Sequence, residues 1–460
     1  MKIFLYLNSS FIFFHLAIVS NSFSQDGLIS INGGDYIKES EYEWREDLNL
    51  MKQKALDNNK LYTELDFVLN RKLTDKDVEN KIIEQSKKVG RNGKLLVFFS
   101  DHGGREKNES YMIMGDYKIS ANQYKNIMKK IRDSRKDVTI ISIFETCYSG
   151  GMLESVIDNQ NPEKSCGFSS SQRDEYGYDG EGITDIIEEV KGLSNGFRFK
   201  SIASVLDVHD KNLLKKSKFD IPPSTYSTTS DVFLDKYLSQ IKSSSGVYSK
   251  TINGLNSSME YIKKNLLNSC TQNSQYDFIS NLNFEIEFKQ VIDDEQRKML
   301  QVQNLANSFS FANYAKVFDI NDLNKKISEL NYKRKNKIAH ISNLEFQRDE
   351  LFFQQWPKSS IIRNEYLKSK PDLQKIDKLY EEFHSFKLEN NSKLFPQNKL
   401  KLDKEENQLY KLSKEINILK KLSIKTKRLQ ALQAMYSKND IEAIKKFMKI
   451  RKCEHSEVLK

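Results

Sequence analysis

A chain of 460 residues is too long for a single small module and allows two or three domains at roughly 150 residues each. Lys and Arg number 73 against 63 Asp and Glu, for a net charge of +10, and 38% apolar with 11% aromatic residues suffices for a real core. With 18 Gly and 6 Pro the composition excludes collagen-like repetition and disorder throughout. The charge is uneven: residues 301–460 carry 33 basic and 20 acidic side chains, the first 300 carry 40 and 43, so the basic surplus belongs to the last third and to no site before it.

Lys2, an almost wholly apolar stretch from Ile3 to Val19, and small residues at Ser22 and Ser24 read as a secretory signal over residues 1–24. The alternative is an uncleaved membrane anchor, because the stretch is near the lower limit for spanning a bilayer. The mature chain is therefore expected to be secreted, periplasmic or in the cell envelope. Four cysteines, Cys147, Cys166, Cys270 and Cys453, do not make a disulfide framework, and at most one bridge forms if one thiol is kept free. The absence of a CxxC pair argues against a thiolate metal site, and no cofactor motif is read.

In chain order, residues 27–33 predict a buried strand ending in Gly33-Gly34, and Trp44, Leu48, Met51 and Leu56 predict a helix over about 41–56. A strand at Leu65–Leu69 follows, then a helix from Thr74 as N-cap, with Asp77 three residues on, to about Val89. The apolar runs Leu95–Phe99 and Val138–Phe144 read as central strands buried on both faces, separated by a short hairpin at Tyr111–Tyr117 and a helix at about Ala121–Ile131. A strand at Ser201–Leu206 and a helix at about Asp231–Ile241 continue the alternation. Strand and helix alternating in this way predict a three-layer α/β/α sandwich with a mainly parallel sheet.

Ligands bind such sheets at the carboxyl ends of the strands. One central strand runs into Ser100-Asp101-His102-Gly103-Gly104 and the other into Glu145-Thr146-Cys147-Tyr148-Ser149-Gly150-Gly151. A thiol with a pKa near 8.5 is mostly protonated at neutral pH, so a nucleophilic Cys147 needs a base such as His102. The glycines after both residues allow a carbonyl to approach, and the amides of Gly103 and Cys147 are candidate donors to an oxyanion.

Asp101-His102-Gly103 after one apolar strand and Glu145-Thr146-Cys147 with Ser149-Gly150 after the next resemble the legumain family of cysteine peptidases (peptidase family C13), within the caspase-like group. The resemblance covers residues 25 to about 292. It implies a general-base His at His102, a nucleophile at Cys147, and a pocket for the residue preceding the scissile bond lined by Glu145 and Asp101. Where legumains carry an Arg-His pair entering the first helix, this chain has Arg45-Glu46, so Arg45 is the candidate counter-charge. With Arg45 as counter-charge the pocket would suit Asn, with Arg45 elsewhere it would be acidic and suit Arg or Lys; Asn is expected first, a basic residue second, and Asp is disfavoured.

Between Glu154 and Ser201 a polar segment, with an insertion at about 158–198, is longer than the usual connection. It contains Asn159, Asn161, Lys164, Arg173 and Lys191 and is either a variable exposed loop or a processing loop; Cys166 within it could be a redox partner for Cys147. From about Val317 onward the character changes. Leu323, Ile327 and Leu330, then Ile341, Leu344 and Leu351, and then Leu409, Leu412, Ile416 and Leu419 lie at helical spacings, punctuated by Pro357, Pro371 and Pro396. Residues 293–460 therefore predict a basic helical bundle or antiparallel coiled coil. Its run Lys420-Lys421, Lys425, Lys427, Arg428 is either a solvated face or a surface for an anionic partner, and the helices could self-associate; no nucleic-acid motif is present. His340, His384 and His455 are expected on the surface.

These features favour an exported cysteine endopeptidase acting on protein or peptide substrates. The alternatives are a non-catalytic caspase-like scaffold and a transamidase using the same acyl-enzyme.

Overall fold

The computed structural model describes residues 25–33, 40–70, 72–173, 183–184, 186–187, 201–215, 226–244, 274–309, 320–368, 370, 372–390, 393 and 395–457. The expected signal 1–24, Cys270, Pro371, Lys191 and much of the 158–198 insertion lie outside these residues.

The chain divides into two compact units, Met1–Val302 with Ile424–Lys460, and Gln303–Ser423. The first is built on a six-stranded sheet in the order β2-β1-β3-β7-β8-β9. Its strands are Gly27–Asn32 (β1), Leu61–Asp66 (β2), Lys94–Ser100 (β3), Thr139–Glu145 (β7), Ser165–Ser169 (β8) and Ser227–Thr228 (β9). The pairs β1–β2, β1–β3, β3–β7 and β7–β8 are parallel, and β9 is antiparallel to β8. A separate antiparallel sheet, Gly103–Glu106 (β4), Glu109–Met114 (β5) and Tyr117–Ser120 (β6), follows β3 directly.

Side chains alternate between the two faces of the sheet, as the period of two requires. Ile29, Ile31, Leu95, Val97, Phe99, Ile140 and Phe144 pack with Val78 and Ile82 of helix Asp75–Lys88 (α2) and with Tyr124, Ile127 and Ile131 of helix Ala121–Ser134 (α3). Phe99 stacks on Phe144, and Tyr124 meets both rings edge-on at centroid distances of 5.5 and 5.3 Å. Leu28, Leu96, Phe98, Ile141 and Ile143 face the other way, toward Leu48, Met51 and Ala55 of helix Ser40–Asp57 (α1) and toward Ile202, Val205 and Leu206 of helix Ile202–Lys215 (α4). The three-layer sandwich expected from the alternation is present.

Local signals account for the starts of α2 and α3. Asp77 accepts hydrogen bonds from both the amide and the hydroxyl of Thr74, closing the N-terminus of α2. Ser120 and Gln123 do the same reciprocally for α3. Three expectations shift. The strand placed at 65–69 runs at 61–66. The inward face of α1 uses Ala55, leaving Leu56 57% exposed, because 48, 51 and 55 follow the helical period. Residues 201–206, expected as a strand, begin α4 instead: Ile202, Val205, Leu206 and His209 are buried, a spacing of three and four that fits only a helix.

The polar segment after Glu154 is a larger correction. Ser165–Ser169 forms β8 with all five residues buried, and Ile183, Ile186 and Ile187 are buried against the α1 face of the sheet. Cys166 pairs with Cys453, 287 residues away, so it is not a redox partner of Cys147.

That bridge also changes the expected boundary at 292. Residues 424–460 belong to the first unit, where the end of helix Pro396–Ser437 (α10) and helix Ile441–Glu454 (α11) join helices Thr229–Ser244 (α5) and Ser274–Phe309 (α6). Arg428 of α10 is buried between Asp231 of α5 at 2.6 Å and Glu295 of α6 at 3.2 Å. Glu454 of α11 accepts the amide and hydroxyl of Ser230 at 2.7 and 2.8 Å. Lys425 also lies 3.9 Å from Glu295, so these members of the expected basic patch serve internal ion pairs. Burial alone would raise the pKa of Glu295, but Arg428, Lys425 and Lys298 together outweigh it and hold it at about 2. Burial pushes Glu454 up to about 7 against the pull of Arg428.

The second unit comprises residues 303–309 of α6, helices Ile320–Gln355 (α7), Ser359–Tyr366 (α8) and Leu373–Asn390 (α9), and residues 396–423 of α10. Pro357 separates α7 from α8 and Pro396 opens α10. Leu323, Leu330, Ile341, Ile416 and Leu419 are buried, and Trp356 packs among Phe353, Phe383, Ile362 and Leu379. His340, His384 and His455 are exposed. Among the described residues no helix is long and apolar enough to cross a membrane.

Two outcomes are expected. A bridge closing a loop this long limits the unfolded chain strongly, so Cys453→Ser should cost about 2–5 kcal/mol in denaturant melts and lose its sensitivity to reductant. Glu454 has a folded pKa above the ordinary 4.5, so the folded state binds the extra proton; the first unit should lose stability as pH rises from about 4.5 through 7, by on the order of 2 kcal/mol, and Glu454→Gln should flatten that slope.

Candidate active site

Because β3 and β7 pair in register, Ser100 lies opposite Glu145, and both strands release their chains at the same level of the sheet. The amide of Asp101 donates to the Glu145 carbonyl at 3.1 Å, extending the ladder by one residue before the loops part. His102 therefore leaves β3 beside the segment that carries Cys147 out of β7. The loops approach closely at Gly103: a Cβ there would lie 2.2 Å from the Cys147 carbonyl oxygen and 2.6 Å from Thr146 Oγ1. Only a residue without a side chain lets the two loops touch.

Each loop is braced. The Ile113 amide donates to the His102 carbonyl at 2.9 Å, tying the His loop to β5, and Asp101 Oδ1 accepts the His102 amide. Asp101 is 3% exposed and its carboxylate lies against Gly33, where a Cβ would come within 1.8 Å of Oδ2. This carboxylate shapes its own loop. In the antiparallel alternation the bond at His102–Ile113 makes the next pair, Gly103 opposite Met112, a non-bonded one, so the Gly103 amide is directed away from β5.

On the other strand Cys147 is half-buried, and Tyr148 after it adopts φ +56, a left-handed conformation that turns the chain into a 3₁₀ helix at Ser149–Ser155. Ser171, just past β8, spans the turn: its hydroxyl donates to the Thr146 carbonyl at 3.0 Å and accepts the Ser149 amide at 3.0 Å. Ser110 of β5 donates to the Tyr148 carbonyl at 2.9 Å.

Glu145 is 8% exposed at the end of β7. Its Oε1 accepts the Thr184 amide at 2.5 Å and its Oε2 lies 2.7 Å from the Thr184 hydroxyl. The same hydroxyl is 2.7 Å from Asp47 Oδ1, and Asp47 Oδ2 accepts from Ser100 Oγ at 2.9 Å. Arg45 lies in α1, and its side chain is outside the described set. Among the described side chains of α1, Asp47 reaches this edge; it precedes the buried Leu48 by one and Met51 by four.

The structure thus gathers His102, Gly103, Cys147, Asp101 and Glu145 at one sheet edge and adds Asp47, Ser110, Ser171 and Thr184. The helical period of α1 could have pointed to Asp47. Ser110, Ser171 and Thr184 carry no local signal, since their partners are 38, 25 and 39 residues distant. Among the described residues no group of three or more His, Cys, Asp or Glu is placed to hold a metal ion.

A thiol, an imidazole on the adjoining loop, and amides at Gly103 and Cys147 can together perform acyl transfer. Caspase-1 from Spodoptera frugiperda is similar at 10% identity and a TM-score of 0.32, over 45% of this chain and 86% of that one. The Drosophila initiator caspase Dronc is similar at 8% identity and a TM-score of 0.31, over 45% and 80%. No curated protein matches the chain. The Peptidase C13 family model matches residues 59–184, so the segment that carries β2 through β8 and both His102 and Cys147 is similar to that family of cysteine peptidases.

Proposed function

We propose that the chain is an exported cysteine endopeptidase. The observation that carries this reading is the contact between the His102 and Cys147 loops at the carboxyl ends of β3 and β7, held by Gly103 against the Cys147 carbonyl.

In this reading the Cys147 thiol passes its proton to His102 and Sγ attacks the peptide carbonyl carbon. The oxyanion takes hydrogen bonds from the Gly103 and Cys147 amides. His102 returns the proton to the departing amine as the C–N bond breaks, leaving a thioester on Cys147. Water, deprotonated by His102, attacks the thioester, and the acid product and the thiol are released.

Glu145 is the acceptor for the side chain preceding the scissile bond, with Asn preferred, Arg or Lys next and Asp disfavoured. Asp101 supports this by holding the His loop. Export follows from the apolar segment at residues 3–19, and the Cys166–Cys453 bridge supports an oxidising compartment.

Three variants test the machinery. Cys147→Ala should abolish turnover and block the main site of alkylation while leaving the melting temperature nearly intact. His102→Ala should slow turnover by about 10²–10⁴. Gly103→Ala forces a methyl onto a backbone oxygen and should cost about 1–3 kcal/mol together with most of the activity. Turnover surviving in Cys147→Ala would refute the assignment.

A further inference from the structure

We infer that Thr184 is a positioning residue for specificity: it holds the Glu145 carboxylate in the orientation that receives the substrate side chain. This deepens the reading above and rests on Glu145 lining the pocket.

The inference stands on how Thr184 is held and what it holds. Its neighbours Ile183, Ile186 and Ile187 are at most 4% exposed in the core between the sheet and α1, so this stretch of the long segment after β8 is anchored in the fold. Thr184 itself is 2% exposed. Two of its groups meet the two oxygens of one carboxylate, the amide on Oε1 and the hydroxyl on Oε2, which pins a side chain that otherwise rotates about three bonds. The hydroxyl is also 2.7 Å from Asp47, whose other oxygen is held by Ser100 at the end of β3. The chain Ser100–Asp47–Thr184–Glu145 thus begins one residue before Asp101 and ends two residues before Cys147. A pocket acid tied to both strands is set at a fixed distance from the nucleophile. Such preorganisation favours a substrate donor without further ordering on binding.

The hydroxyl has one proton and two carboxyl oxygens within reach, whereas the amide bond is permanent. Thr184→Val removes the hydroxyl and keeps the amide, the branching and the volume. Thr184→Ser keeps the hydroxyl.

The test uses the purified mature protein and matched peptides with Asn, Arg or Ala before the scissile bond. Thr184→Val should raise KM for the Asn and Arg peptides about tenfold, the scale of one hydrogen bond to a charged group, with a smaller change in kcat. The preference over the Ala peptide should fall by the same factor, and Thr184→Ser should restore it to within about threefold. An equal loss on all three peptides, or no rescue by Ser with the melting temperature intact, would overturn the positioning role while leaving the peptidase reading in place. A second arm measures peptide binding by fluorescence anisotropy in Cys147→Ala, with and without Thr184→Val. A selective tenfold weakening for Asn and Arg supports the inference independently of turnover. A wild type that cleaves none of the peptides, with Cys147→Ala binding none, would overturn the peptidase reading and this inference with it.

Discussion

Everything at the candidate site depends on the in-register pairing of β3 with β7. Parallel strands pointing the same way deliver their carboxyl ends to one edge, and the Ser100–Glu145 register puts the two loops level to within a residue. A slip of one position would turn every side chain of β7 to the opposite face, exchanging Ile140 and Phe144 for Ile141 and Ile143 in two separate cores. The register is therefore protected by the whole hydrophobic core. The candidate site inherits that protection: the contact of Gly103 with the Cys147 carbonyl is the point at which core packing sets the spacing of the two loops.

The loops themselves are held by polar contacts that cost little conformational freedom because they start from rigid elements. Ser171 and Ser110 brace the turn around Cys147 from β8 and β5, and Ile113 and Asp101 brace the turn around His102. A half-buried thiol between a strand end and a left-handed residue is thus presented without a mobile backbone beneath it. From β8, next to β7, the Cys166–Cys453 bridge, together with the Arg428 cluster, returns the C-terminal helix to the first unit. Arg428 illustrates the balance: burial opposes its charge, but Glu295, Asp231 and Glu454 outweigh that cost and push its pKa upward. Its position in a Lys-rich run fits either a solvated face or a surface for anions, and its burial shows why a run of charges in sequence says little about which of them meets solvent.

The central strands, their buried faces, the helix starting at Thr74 and the placement of His102 and Cys147 at strand ends are all legible in the residues alone. Each depends on neighbours within one or two turns: apolar runs bounded by turn residues, a cap with its acid three positions on, glycines following a His and a Cys. The same local reading misplaced residues 201–206, where Ser-Ile-Ala-Ser-Val-Leu suits a short strand until Ile202, Val205, Leu206 and His209 are seen to share one buried stripe. It also read the stretch after Glu154 as exposed, because Ser165–Ser169 lacks the aliphatic run that marks a buried strand.

The remaining relations are long-range. Cys166 meets Cys453 across 287 positions, Glu454 meets Ser230 across 224, and Thr184 meets Asp47 across 137. Propensity and periodicity act over a few residues and so determine which segments are strands or helices and which groups stand at their ends. Which distant segments close on those ends is decided by packing the two faces of one sheet, a global fit that leaves no trace at the individual positions. The amino-acid order alone thus yields the layered architecture and a His and a Cys at the ends of its central strands, whereas the bracing hydroxyls, the disulfide partner and the return of the C-terminal helix follow only from the folded chain.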